Sequence, residues 1–405
     1  MSPAVLTPVL GPLQFPWVIY ALDQNNDHFD RAFALANLAA ATGRQVFLLT
    51  NSLQAKSVQK QVTNDNLSIQ LITPDAALKE VVHQVTQLLS IAPFVLIVDA
   101  LPTGLQGELV NILPQLPNIP KILVLQDFGP DTIIANNLRH LIKNYYDLGI
   151  VPGIGEGSVL ADLPNVVQTG PWLMLTGPSK NHDIKNHTDK NSGAIALQTA
   201  ALAEGSDATV LVLSSGEPNE LDIYSYIANI IAQQCPWVTV RCHSPVPPTH
   251  CDIELWDSHW PVSERILAAD LVIGAGNYGT VHLCQRLKIP LIAFPWSRPD
   301  NLQRKRLEKI ADIDEAAVKI VTSAEEALCH TFDFLNQGIE KSLFSPQKRW
   351  QNLHRTDELD DINGIKVGLR LIEETLANKW DQVAQTAMTQ DINRLRQSQY
   401  PSKQT

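Results

Sequence analysis

Short apolar runs recur along the chain, and each is followed by small or polar residues and then by a longer stretch with helical periodicity. This alternation is typical of a parallel β-sheet that is covered by helices. In the first half, it predicts strands over residues 17–22, 45–50, 68–73, 94–100, 121–127 and 147–152. Helices are predicted between them, over residues 28–42, 76–91, 105–115 and 131–145. The first half therefore predicts one doubly wound α/β domain.

A polar segment over residues 176–193, TGPSKNHDIKNHTDKNSG, interrupts this alternation and is typical of a linker or an exposed loop. A second series of strands is then predicted over residues 208–215, 237–243, 252–257, 270–275, 290–295 and 318–322. We therefore expect an N-terminal domain, a linker, a second doubly wound domain and C-terminal helices that pack back towards the N-terminal domain. The predicted boundaries are 1–175, 176–205, 206–345 and 346–405.

Composition agrees with two soluble domains. Of the 405 residues, 44% are hydrophobic and 18% are charged, which is typical of globular proteins. A chain of this length is too long for one ordinary hydrophobic core. The formal charge of -11 gives no support to binding of nucleic acid or anionic lipid. Five sparse cysteines and no signal-peptide pattern favour the cytoplasm. No apolar run has the roughly 18 residues of a membrane span, although peripheral membrane contact and the oligomeric state stay open.

Two predicted strand-to-helix loops of the second domain carry small residues. The first, in VLVLSSGE, contains Ser215 and Gly216, and backbone N–H groups at such a helix start suit a pyrophosphate. The second loop combines three glycines with a threonine: Gly274, Gly276, Gly279 and Thr280. A glycine turn between strand and helix is also common in folds that bind nothing there, so each loop alone leaves both interpretations open.

The segment ADLVIGAGNYGTVHLCQRLKIPLIAFPWSRPDNLQ, residues 269–303, resembles the donor-nucleotide motif of GT-B glycosyltransferases. The resemblance is to the MurG-like group in particular, which uses UDP-activated N-acetylglucosamine. It extends to VLVLSSGE and less specifically to LIVDALPTGLQGEL, and covers most of residues 17–310. It implies two Rossmann-like domains that face each other across a cleft. It also implies transfer of a sugar from a nucleotide-diphosphate donor, a UDP-sugar, to an unidentified hydroxyl acceptor.

Carried over by position, the resemblance assigns the acceptor to the N-terminal domain and the donor to the second domain. Ser215 and Gly216 are expected near the donor pyrophosphate, and the stretch from Gly274 through Gly276 to Thr280 around the phosphates and nucleoside. Asp300 and Gln303 are expected near sugar hydroxyls, while Arg298 would balance the charge of the diphosphate. No obligatory metal or other cofactor is implied.

One departure from the family lies three residues after Thr280. The family usually has a glutamate there that accepts hydrogen bonds from the ribose, whereas this chain has Leu283. A buried ribose without that acceptor would bind more weakly by about 1–3 kcal/mol. The adjacent His282 points about 100° away on a helix, so it is expected to be a surface or capping side chain.

A second departure lies in the first predicted loop, ALDQNNDHFDRAFALA. The family has a glycine-rich turn, then a histidine and often an arginine three residues later; His28 and Arg31 keep that spacing, but residues 23–27 contain no glycine. His28 is the candidate general base, because an inverting transfer removes a proton from the acceptor hydroxyl. The alternative is an ordinary loop histidine.

Asp99 ends the predicted strand VLIVDA, where it could orient the His28 imidazole or cap the segment that follows. The two departures together favour one alternative to an enzyme, which is a catalytically degenerate GT-B-like binding or partner subunit. The segment CHSPVPPTHC, residues 242–251, lacks the ligand spacing of a zinc site, so no metal is predicted.

Overall fold

A computed structural model describes most of the chain, in the following ranges: 15–22, 28–52, 54–59, 62, 64–73, 76–90, 94–125, 133–134, 137–153, 160–174, 208–248, 256–258, 261–297, 302–313, 318–340 and 363–380. The chain divides into two compact units. The first comprises residues 1–172 and 364–405, and the second comprises residues 173–363. The predicted linker, residues 176–205, lies outside the described ranges.

The first unit is built on a seven-stranded parallel sheet with the order β3-β2-β1-β4-β5-β6-β7. Its strands are β1 (Trp17–Ala21), β2 (Val46–Thr50), β3 (Leu67–Leu71), β4 (Val95–Ala100), β5 (Lys121–Leu125), β6 (Leu148–Pro152) and β7 (Val166–Thr169). Its first five helices are α1 (Phe29–Ala41), α2 (Ala55–Gln59), α3 (Leu78–Leu89), α4 (Leu109–Ile112), which a 3-10 turn extends over Leu113–Gln115, and α5 (Leu138–Tyr145).

The second unit is built on a six-stranded parallel sheet with the order β10-β9-β8-β11-β12-β13. Its strands are β8 (Ala208–Leu213), β9 (Val238–His243), β10 (Trp256–Asp257), β11 (Leu271–Ala275), β12 (Leu291–Phe294) and β13 (Val318–Ile320). Its helices are α6 (Pro218–Gln234), α7 (Ser263–Leu267), α8 (Tyr278–Leu287), α9 (Gln303–Ile313) and α10 (Ala324–Glu340). Two parallel sheets confirm the predicted α/β class.

Burial explains why the sequence predicts these strands well. Every residue of β1, β5, β6 and β8 is buried, so these strands read as continuous apolar runs with both faces covered. Alternate residues of β8 enter different cores: Val210 and Val212 pack with α6, whereas Leu211 and Leu213 pack with α8. Helices therefore cover both faces of the second sheet.

Two described elements of the first unit, β7 and α2, were not predicted. Strand β7 lies at the sheet edge with its two middle residues exposed, so it lacks the apolar run of the inner strands. Helix α2 has five residues, AKSVQ, which is too short to show helical periodicity. Of the predicted strand 252–257, residues 256–257 form β10 and residues 252–255 lie outside the described ranges.

The strand order reverses once in each sheet, between β1 and β4 and between β8 and β11. We call these the first and second switch points. Helices that follow the two strands of a switch point leave towards opposite faces, which opens a crevice at the carboxyl ends of the strands. Ligands of open α/β sheets bind in this crevice, so the loops after these four strands hold the candidate site.

The last described helix, α11 (Ile365–Trp380), packs within the first unit. Arg44 Nη2 lies 3.0 Å from Glu373 Oε1, and Lys379 Nζ lies 2.6 Å from Asp147 Oδ1. Gly368 faces the Trp172 ring so closely that a Cβ atom there would lie 2.0 Å from Cζ2 of that ring. None of the helices in the described ranges is both long and apolar enough to cross a bilayer.

We predict that Gly368→Ala destabilises the first unit by about 1–2 kcal/mol net, because the added methyl overpacks the contact with Trp172 at a cost of up to about 3 kcal/mol. This cost outweighs the gain of about 1 kcal/mol that alanine brings to a helix interior. The measurement is the urea midpoint followed by tryptophan fluorescence. Gly279→Ala is the control, since a Cβ atom at Gly279 meets no atom within 4 Å. Equal stability of Gly368→Ala and the wild type would contradict the contact.

Candidate functional site

His28, Arg31 and Asp99 lie together at the first switch point. His28 is the N-cap residue of α1, Arg31 belongs to the first turn of that helix, and Asp99 is the penultimate residue of β4. All three are buried, with exposed fractions of 5%, 2% and 1%. The loop that precedes them, residues 23–27, lies outside the described ranges.

Arg31 is the direct partner of Asp99. Its Nε donates to Asp99 Oδ2 at 3.1 Å, and its Nη2 donates to Asp99 Oδ1, which makes a two-pronged charge-assisted pair. The same Nη2 lies 3.0 Å from His28 Nδ1. His28 Nδ1 is 3.7 Å from Asp99 Oδ1, which is too long for a hydrogen bond. Asp99 therefore does not orient His28 directly in this arrangement, and the base role of His28 stays a prediction.

At the second switch point, the donors of the Ser215 loop are taken by the protein itself. The backbone N–H and the hydroxyl of Ser215 both donate to Glu220 Oε2, at 3.2 and 2.6 Å. The N–H of Gly216, which has φ +94, donates to Ser214 Oγ at 3.1 Å. Glu220, on the first turn of α6, is 2% exposed. A carboxylate thus holds donors that the resemblance assigns to the pyrophosphate.

The loop between β11 and α8 is braced from α9. The N–H of Gly276 donates to the Phe294 carbonyl at 3.1 Å and to Gln303 Oε1 at 3.2 Å. Gln303 Nε2 donates to Asn277 Oδ1 at 2.8 Å, and Arg306 Nη1 donates to the Gly276 carbonyl at 2.8 Å. Gln303 is buried and fixes this loop, so its predicted contact with a sugar stays a prediction.

The three glycines of this loop have different surroundings. A Cβ atom at Gly276 would lie 2.8 Å from Leu307 Cδ1, and one at Gly274 would lie 3.2 Å from Leu213 Cβ. Packing therefore accounts for Gly274 and Gly276. Among the described residues, a Cβ atom at Gly279 would meet nothing within 4 Å, so they leave the space beside the first turn of α8 open.

The first turn of α8 keeps backbone donors available. Asn277, the N-cap residue, makes no side-chain cap, because its Oδ1 accepts from Gln303 instead. No described residue accepts a hydrogen bond from the N–H of Gly279 or Thr280. Both residues are half-buried. Open space, unused N–H groups and the positive end of the helix dipole together suit an anion.

No protein-family model and no curated protein matches the sequence. Solved structures do match: the spinosyn forosaminyltransferase SpnP has a TM-score of 0.56 at 12% identity, over 89% of this chain and 100% of that chain. The chain has the GT-B fold. The glycotransferase of kitacinnamycin gives a TM-score of 0.54 at 13% identity, over 89% and 99% of the two chains. Arabidopsis thaliana UGT89C1, complexed with UDP-L-rhamnose, gives a TM-score of 0.52 at 13% identity, over 89% of this chain and 99% of that chain.

Within this GT-B fold, the expectation for His282 is wrong. His282 is fully buried, and its ring meets the ring of Tyr278 edge-on with the centroids 4.7 Å apart. Leu283 lies in the apolar core with Val281 and Leu307. A glutamate at position 283 would therefore point into the core of this chain. Arg298 and Asp300 lie outside the described ranges.

Sequence reasoning missed two residues at the first switch point, Glu108 in the loop after β4 and Tyr20 in β1. Glu108 is buried and accepts from the N–H of Gln106 at 2.8 Å and from the Tyr20 hydroxyl. The Tyr20 hydroxyl in turn accepts from the N–H of Leu105 at 2.7 Å. This pair ties the loop after β4 to β1 beside Asp99. The available signal was GLQGEL, in which a glutamate directly follows Gly107, the second of two glycines.

The segment CHSPVPPTHC, residues 242–251, is described only in part. Cys242 is buried in β9, whereas His250 and Cys251 lie outside the described ranges. Among the residues that the structure describes, no group of three or more His, Cys, Asp or Glu side chains could hold a metal ion.

We predict that stability falls as the pH rises above 10. Burial, and then the charge of Glu108, raises the pKa of Tyr20 well above 10.0, and burial raises the pKa of Tyr146 likewise. The unfolded chain releases these protons first, so the free energy of unfolding decreases by up to about 1.4 kcal/mol per pH unit for each tyrosine. Urea denaturation over a pH series measures this slope.

Tyr146→Phe is the informative variant, because it removes one of the two titrating groups together with a 2.7 Å hydrogen bond to the Pro102 carbonyl. We expect a smaller slope in this variant. A slope equal to that of the wild type would show that Tyr146 titrates normally in the folded chain.

Proposed function

We propose that this protein is a glycosyltransferase that moves a sugar from a UDP-sugar to a hydroxyl acceptor. The observation that carries the proposal is the first turn of α8, where Gly279 and Thr280 offer unused N–H groups beside open space at the second switch point. The GT-B fold supports it. So does UGT89C1, a structure of this fold that was solved with UDP-L-rhamnose.

The donor diphosphate is proposed to bind at the first turn of α8. Backbone N–H groups at a helix start bind phosphate oxygens without a metal, and the absence of a side chain at Gly279 lets the phosphate approach closely. Thr280 would add its hydroxyl, and Arg298 is proposed as a counter-charge. No obligatory metal is needed in this scheme.

Glu220 determines what the Ser215 loop contributes. Two unit charges of the same sign repel by about 4 kcal/mol at 4 Å when the effective dielectric constant is about 20. A phosphate that approached Ser215 while Glu220 holds its hydroxyl would meet this repulsion. Ser215 and Gly216 are therefore proposed as donors to the phosphate only after the Glu220 carboxylate moves aside.

The acceptor is proposed to bind at the first switch point, next to His28. In an inverting transfer, the acceptor oxygen bonds to the anomeric carbon while the bond from that carbon to the diphosphate oxygen breaks. The diphosphate leaves with the electron pair, and the acceptor proton passes to the base. His28 is proposed as that base, with Asp99 and Arg31 as its buried neighbours.

We also propose that the protein acts in the cytoplasm. Three described cysteines, Cys235, Cys284 and Cys329, are free. Burial raises the pKa of the Cys284 thiol, which makes that side chain unreactive at neutral pH. Unpaired thiols are the usual state of cysteine in a reducing compartment.

We predict that UDP or a UDP-sugar raises the melting temperature, because a ligand that binds the folded chain at about 100 times its dissociation constant adds about 2.7 kcal/mol. A thermal-shift screen of nucleoside diphosphates and their sugars measures this effect. Release of UDP in the presence of acceptors then measures turnover. If no UDP- or GDP-sugar binds or is hydrolysed at millimolar concentration, the proposal is refuted. Binding without turnover would favour a degenerate binding subunit.

We predict that Gly279→Val weakens nucleotide affinity at least tenfold, or by about 1.4 kcal/mol, because the side chain fills the space beside the first turn of α8. Titration calorimetry with UDP measures the change. Ala377→Val is the matched control, since it adds the same branched side chain at an exposed position of α11 in the other unit. Unchanged affinity in Gly279→Val would place the diphosphate elsewhere.

A further inference from the structure

The buried group at the first switch point has an unexpected order of contacts. The guanidinium of Arg31 contacts both Asp99 and His28, whereas the imidazole and the carboxylate do not bond to each other. The position of Asp99 at the end of a strand left open whether it orients the histidine or caps the following segment. In this chain an arginine stands between the two.

This order fixes where the proton of His28 lies. A guanidinium nitrogen donates hydrogen bonds and cannot accept them. At 3.0 Å from Arg31 Nη2, His28 Nδ1 must therefore be the acceptor, without a proton of its own. A neutral imidazole carries one proton, so that proton lies on Nε2. A doubly protonated ring would set two N–H groups against each other in this contact.

We propose that Arg31 is a positioning residue that holds His28 as the Nε2–H tautomer, and that Asp99 acts on His28 only through Arg31. Asp99 receives two charge-assisted hydrogen bonds from the guanidinium, which fixes the plane and the direction of Nη2. All three side chains are buried, so few other conformations are open to them. The tautomer follows from the geometry alone.

The consequence for catalysis rests on the proposed function. In the Nε2–H tautomer, Nε2 donates to an acceptor hydroxyl instead of taking its proton. His28 can act as a base through Nε2 only when its other proton site, Nδ1, holds the hydrogen. That state requires Nδ1 to exchange Arg31 for Asp99 Oδ1, which now lies 3.7 Å away. Arg31 thus determines whether His28 donates or accepts.

Nitrogen-15 NMR of the full chain labelled in the histidine rings tests the tautomer directly. The chain has 11 histidines, and the His28 signals are assigned by their loss in His28→Gln. We expect an unprotonated Nδ1 and a protonated Nε2 in the wild type at neutral to weakly alkaline pH. A protonated Nδ1 with a bare Nε2 would overturn the proposal.

Two variants separate Arg31 from Asp99. In Asp99→Asn, Arg31 still donates to Nδ1, so the tautomer should stay the same. In Arg31→Leu, Asp99 Oδ1, which lies 3.7 Å from Nδ1, becomes available as an acceptor for an Nδ1 proton, so the proton should move to Nδ1. Direct orientation by Asp99 gives the opposite pair of results, in which Asp99→Asn changes the tautomer and Arg31→Leu keeps the proton on Nδ1 as in the wild type.

Arg31→Leu leaves a buried carboxylate without its partner, and this variant is at risk of not folding. The double variant Arg31→Leu/Asp99→Leu removes both charges and keeps the position apolar. Without the Arg31 donor, we expect the Nε2–H tautomer to be less populated than in the wild type; an unchanged population of that tautomer would overturn the proposal. UDP affinity is measured on the same samples. If the wild type does not bind UDP, the proposed function is refuted, whereas the tautomer result is unaffected.

Discussion

The reversal of strand order in each sheet is the constraint on which the rest of this structure depends. Helices leave a switch point towards opposite faces, so the carboxyl ends of its two central strands are not covered by either helix. Backbone and side-chain polar groups there need partners of their own. This chain supplies them from its own side chains: Arg31 reaches Asp99, Glu220 reaches Ser215 and Gln303 reaches Gly276.

The inner strands could be predicted from the sequence because both of their faces are buried. A strand such as β8, with every residue buried, has no exposed position that would interrupt its mostly apolar run. The edge strand β7 exposes its middle and gives no such run. Parallel topology then fixes the location of the site. Once the order of strands and helices is known, His28, Asp99, Ser215 and Gly279 must follow the central strands of the two sheets.

Pairing between these side chains could not be predicted in the same way. Arg31 and Asp99 are 68 positions apart, and the choice of Arg31 over His28 as the partner of Asp99 depends on side-chain reach and fork geometry. Glu220 is read from the sequence as an ordinary acidic residue in a first helical turn, which is where the helix dipole favours it. Its second use, as the acceptor for Ser215, depends on how the loop curves after β8.

The first turn of α8 differs from these strand ends in that its backbone donors are not bonded to described side chains. Like the first N–H groups of any helix, those of Gly279 and Thr280 have no intrahelical acceptor, and no described side chain takes them up as Glu220 takes up Ser215. A bound anion would accept hydrogen bonds from both groups. Backbone N–H groups are present whatever side chains the helix has. An anion site made of them therefore does not depend on position 283, where Leu283 lies in the core. Recognition of the phosphates and recognition of the nucleoside are therefore separable in this fold, and the features present here belong to the first.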